Sequence, residues 1–123
     1  MGVKQHGLYV DLDKALDAED LPHAWMGAHE RRGGVKLSQA LRLTMLMAFK
    51  EDGSYDAAVR KFLARFIRDE KPTPEQIRKV ANALEELPRK EVYMPREGPE
   101  FALKGLVAQL EEREQERRRL LAP

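Results

Sequence analysis

Residues 54–87 hold two helical patterns in tandem, each with its own start signal, and they constrain the fold more than any other stretch. Ser54 precedes Tyr55, Ala58, Val59, Phe62, Leu63, Phe66 and Ile67. That is an apolar stripe at i, i+3, i+4, i+7 spacing, which only a helix places on one face. Thr73-Pro74-Glu75-Gln76 then reads as a capping box with proline at the first helical position. It opens a second stripe of Ile77, Val80, Ala81, Leu84 and Leu87. Two helices with one apolar face each must bury those faces against something, so the expectation is an all-α domain.

The rest of the chain supplies the partners. Asp11 is placed to cap a short helix through Leu12, Ala15 and Leu16, ending before Pro22. Residues 22–34 mix Gly27, Gly33 and Gly34 with His23, Trp25, Met26 and His29 and read as irregular. From about Lys36 to Lys50 the apolar residues Leu37, Ala40, Leu41, Leu43, Met45, Leu46, Met47, Ala48 and Phe49 nearly encircle a helix, the mark of a central element. A small domain struggles to cover every side of such a helix. Self-association or a protein partner at 37–49 is therefore an expectation.

Residues 88–98 form a proline-containing loop, and from Pro99 a last helix carries Phe101, Leu103, Leu106, Val107 and Leu110. Residues 111–123 extend it with charge: Glu111 to Arg119 has no apolar residue, and Glu114 with Arg118 and Glu116 with Arg119 are spaced for helical ion pairs. A solvated helix projecting from the body is the expectation there. The architecture is thus one domain over 1–123, of about five helices, with a minor two-stranded β-ribbon joining Leu8-Tyr9-Val10 to Val92-Tyr93-Met94.

Charge narrows the function classes. The chain has 123 residues, 22 basic and 21 acidic, for a net charge of +1. The distribution is uneven. Residues 1–22 set Lys4 and Lys14 against Asp11, Asp13, Asp17, Glu19 and Asp20. Residues 28–50 set Arg31, Arg32, Lys36, Arg42 and Lys50 against Glu30 alone. A basic middle bears on partners, and a polyanion is the partner it favours. The chain has no cysteine, which removes disulfides, thiolate nucleophiles and Cys-type metal sites. No apolar run approaches the roughly 20 residues of a membrane span, and the N-terminus lacks a signal-peptide core. A cytoplasmic, non-membrane protein is the expectation.

Within the basic middle, Arg31-Arg32-Gly33-Gly34-Val35-Lys36 sets cations and glycines before a helix N-terminus, the parts that phosphate binding needs. No Walker pattern accompanies it, and a flexible, solvated connector is the plainer account. Arg60, Lys61, Arg65 and Arg68 lie off the apolar stripe of their helix and form a basic face suited to phosphates. His23, His29 and Glu30 do not share a helical face at metal-ligand spacing, and Asp11, Asp13 and Asp17 lack the glycine and terminal glutamate of a calcium loop. Neither a metal nor a cofactor is expected. Ser38, Ser54 and Thr73 all sit where N-caps belong rather than where a nucleophile would.

Leu37-Ser38-Gln39 and the stretch Glu70 to Leu84 resemble a little the beginning and end of a Cro/repressor-type helix-turn-helix domain. The segment between departs from it, because 38–69 reads as two helices of about four turns each. The family is therefore not assigned. The leading functional expectation is a non-enzymatic, nucleic-acid-associated protein that contacts phosphates through Arg31, Arg32, Lys36, Arg60, Lys61, Arg65 and Arg68. Its rival is a protein–protein adaptor or inhibitor without nucleic-acid contact.

Overall fold

A computed structural model describes residues 11–30, 34–89 and 91–121. Among them are six α-helices: α1 (Leu12–Asp17), α2 (Leu21–Glu30), α3 (Leu37–Phe49), α4 (Tyr55–Glu70), α5 (Pro74–Glu86) and α6 (Gly98–Leu121). A 3₁₀ turn, Leu87–Arg89, follows α5. Residues 92–94 carry no strand, so the expected ribbon is not supported, and its other half, residues 8–10, lies outside the described residues. No helix among the described residues is long and apolar enough to cross a membrane.

The helix starts follow from local chemistry. The Asp11 carboxylate accepts the Lys14 amide (3.2 Å) and caps α1. Thr73 Oγ1 accepts the Gln76 amide (3.1 Å) while Gln76 Oε1 accepts the Thr73 amide (2.8 Å), the reciprocal box expected of that sequence. At α3 the corresponding side chain is Gln39, whose Oε1 accepts the Lys36 amide (3.0 Å). Ser38 is not the cap but the second helical residue.

Of the stretch 22–34 expected to be irregular, residues 22–30 are instead helical and belong to α2. Asp20 caps it, accepting the His23 amide (3.3 Å) as well as facing the His23 ring (2.6 Å). Pro22 is the second residue of the helix, where its missing N–H has no intrahelical partner to lose. Gly27 is buried within the helix.

The ends are equally specific. After α1 the Glu19 amide bonds Leu16 O (3.1 Å) and the Asp20 amide bonds Ala15 O (2.9 Å). After α3 the Glu51 amide bonds Ala48 O (3.1 Å) and the Asp52 amide bonds Met47 O (2.9 Å). Both are Schellman ends, and both put a glutamate in the left-handed region, with φ of 56° at Glu19 and 54° at Glu51. At the start of α6, Gly98 (φ 89°) lets Tyr93 pack against the backbone. A Cβ there would meet the Tyr93 ring at 2.5 Å.

The helices pair as α1 with α2, α3 with α4 and α5 with α6, and α3 runs through the middle. It packs on α1, α2, α4 and α6, so Leu37, Leu41, Met45, Leu46, Met47 and Ala48 are all buried by the chain's own elements. The apolar girth of α3 thus has an internal explanation. Around it gather Leu12 and Leu16 of α1, Ala24 of α2, Phe62 and Phe66 of α4, Leu84 of α5, and Leu103 and Leu110 of α6. The Phe62 and Phe66 rings stack at 5.7 Å. Tyr55 is buried as well, and its hydroxyl donates to Leu84 O (2.5 Å), tying the start of α4 to α5.

The charged end of α6 is bound to the body. Glu70, the last residue of α4, has a side chain only 3% exposed and accepts from both Arg113 and Arg117, the latter at 2.7 Å. Glu114 accepts from Ser38 at the start of α3. Of the two ion pairs expected along the tail, Arg119 meets Glu116 at 3.9 Å, whereas Glu114 is engaged by Ser38.

Candidate nucleic-acid interface

The basic face of α4 is built by helical spacing. Lys61, Arg65 and Arg68 stand at i, i+4 and i+7, on one flank of the helix beside the stripe of buried Tyr55, Phe62 and Phe66. Arg60, Lys61 and Arg68 are exposed and Arg65 is half-exposed. Two of these cations share one carboxylate. Asp69 takes Arg68 at 2.8 Å and Arg65 at 3.4 Å, and hydrogen bonding to Arg68 holds its carboxyl below the usual range. Arg60 and Lys61 have no carboxylate within 4 Å among the described residues.

Alongside this face runs a groove of about 370 Å³ between α2, α3 and α4. Its floor and walls are largely apolar: Trp25 from α2, Val35, Ala40, Leu43 and Met47 on the α3 side, and Ala58 and Phe62 from α4. Lys61 and Arg65 stand at its edge, and among the described residues no acidic one lines it. Trp25 is half-buried and its ring lies 4.9 Å from that of His29, tilted by 35°. His29 Nδ1 in turn meets Trp25 O at 2.9 Å.

The expected phosphate loop before α3 fares differently. Arg31 and Arg32 lie outside the described residues. Lys36 is exposed, but it borders a different cavity, of about 440 Å³, together with Asp13, Asp17, Glu111 and Glu114. The α3 N-terminus, where an anion would sit, holds the Glu114 carboxylate: one oxygen accepts the Ser38 hydroxyl (2.6 Å) and the other the Ser38 amide (3.0 Å). Arg42 is likewise taken, by Asp17 at 2.5 Å and Asp13 at 3.9 Å. Part of the charge asymmetry between the N-terminus and the middle is therefore an internal contact between α1 and α3.

The structure thus brings Lys61 and Arg65 together at one groove, continues them with Arg68, and sets Arg60 on the neighbouring strip of α4. Lys36 borders a separate and partly acidic cavity. Trp25 and the groove it lines were missed in the sequence, because Pro22 and Gly27 hid the helix that carries them. A third cavity, of about 550 Å³ between α4, α5 and α6, has Glu70, Lys71, Lys79 and Arg113 among its lining residues. Among the described residues no three histidine or carboxylate side chains converge as metal ligands would. Comparison with known protein families, characterised proteins and solved structures finds no match.

Proposed function

We propose that the protein is a non-enzymatic, nucleic-acid-associated protein that contacts phosphates through the outer face of α4, as a small regulator or a helical subunit of a nucleoprotein assembly. The observation that carries this reading is the alignment of Lys61, Arg65 and Arg68 on one helical face, with Arg60 beside them and Lys61 without a carboxylate partner among the described residues. Such a face neutralises phosphates without reading bases. The Ser38 hydroxyl is engaged by Glu114 and that of Thr73 by the Gln76 amide, which supports a role without nucleophilic chemistry. Titration of the protein with a mixed-sequence oligonucleotide at several salt concentrations tests the reading. Binding should weaken linearly on a log–log plot as counterion release becomes less favourable. Salt-independent binding, or none, contradicts it.

One observation favours the adaptor reading instead. Met94 is 69% exposed, Phe101 53% and Phe49 42%, and the three apolar side chains line one cavity of about 500 Å³. Apolar surface of this kind serves protein contact better than phosphate contact. Co-elution of a stoichiometric protein, with no nucleic acid, would favour it.

A further inference from the structure

We propose that the groove between α2, α3 and α4 takes an unstacked base, so that the nucleic acid this protein prefers is single-stranded. The inference rests on the phosphate-binding reading above and adds the form of its ligand. A duplex offers the protein a convex row of phosphates and keeps its base faces stacked inside. A basic helix face alone would suit it. An apolar hollow next to that face has nothing on a duplex to fill it.

Here the hollow exists, and its charge is one-sided. Trp25, Val35, Leu43, Met47 and Phe62 line it, Lys61 and Arg65 border it one helical turn apart, and among the described residues no carboxylate enters it. A single strand supplies the matching pair of groups on each nucleotide: a flat, apolar-faced base and an anionic phosphate. Proteins that bind single strands combine an aromatic or apolar platform with adjacent cations in this way.

Trp25 is the chain's one tryptophan, so its fluorescence reports on this groove alone. The full-length protein is titrated with a mixed-sequence 15-mer DNA strand, its RNA equivalent and the duplex of the same sequence, at fixed salt. The expected result is quenching of Trp25 by a single strand and an affinity about tenfold above that for duplex, the share of one stacked base. Ala57 also lines the groove. Ala57→Leu, a change that helices tolerate, should fill the hollow, abolish the quenching and level single-strand with duplex affinity, while circular dichroism stays that of wild type.

Equal binding of both forms with unchanged Trp25 emission overturns the groove inference and leaves the phosphate reading standing. So does an Ala57→Leu variant that keeps the preference. Absence of binding to either form overturns the phosphate reading itself. Quenching by a glutamate-rich amphipathic peptide, with no response to nucleic acid, assigns the groove to a protein partner and overturns both.

Discussion

Ser38 donates both its backbone N–H and its hydroxyl to the carboxylate of Glu114, 76 residues further along the chain. The contact places a negative charge at the positive end of α3 and fixes the outer half of α6 against the core. Ser38 is 2% exposed, so removing its partner leaves buried donors unmet. Glu114→Ala should therefore lower stability by about 1–3 kcal/mol, read as a shift of the urea midpoint. Glu114→Gln keeps an acceptor, loses the charge and should fall between. Truncation after Leu110 should cost more than either, since it also strips Arg113 and Arg117 from Glu70. A truncated chain that melts like wild type would show that the tail is a free extension.

Glu70 gives the domain an acid-side dependence. Burial opposes its charge, but the Arg117 and Arg113 guanidiniums outweigh that and hold its carboxyl below its ordinary value of 4.5. A carboxylate with a depressed native pKa stabilises fully above its unfolded value and loses that contribution as pH falls through the native one. Stability should thus decline on acidification below about pH 4.5, and Glu70→Gln should remove part of the decline. Parallel pH profiles for the two proteins would contradict this.

Tyr55 acts at the other end of the scale. Burial is the main cause that pushes its hydroxyl up from 10 to about 12, with Asp56 adding to the effect. The neutral phenol is the form that the folded state holds, so its contribution is whole below pH 10 and lost as pH rises from 10 towards 12. That loss amounts to about 2–3 kcal/mol at ~1.4 kcal/mol per unit. Tyr55→Phe should be less stable at neutral pH, because Leu84 O loses its donor. It should also lack the wild type's extra loss above pH 10, measured by denaturant midpoints across that range.

Glu19 holds a left-handed conformation that side chains resist and glycine does not. Glu19→Gly should raise stability by up to about 1 kcal/mol, the steric relief being partly offset by a freer unfolded chain. A lowered thermal midpoint would mean that the Glu19 side chain contributes more than its backbone costs.

Much of the helical framework was legible because its signals are local. The Thr73 box, the stripes of α4 and α5 and the all-round apolar α3 each lie within one or two dozen residues, and periodicity reads them directly. Residues 22–30 read as irregular for a local reason too. Proline ends a helix from inside but opens one from its first turn, and the capping Asp20 decides which applies. The interface was harder. Lys61, Arg65 and Arg68 share a face by spacing alone, whereas the groove beside them needs α2, α3 and α4 to meet. The capture of Arg42 by Asp17, of Ser38 by Glu114 and of Arg113 by Glu70 depends on tertiary contact between distant residues. No count of charges along the chain reveals which cations are already taken.

We propose that the face of α4 carrying Lys61, Arg65 and Arg68 holds phosphates. The most direct measurement of this is the slope of log K against log salt for a mixed-sequence oligonucleotide, comparing wild type with the double variant Lys61→Glu/Arg65→Glu. Lys61 is exposed and Arg65 makes only a 3.4 Å contact with Asp69, so the variant should fold as wild type does. Binding of all sequences should weaken alike, with a slope smaller by about one unit per lost phosphate contact. A folded variant that binds as tightly as wild type at every salt concentration would contradict it.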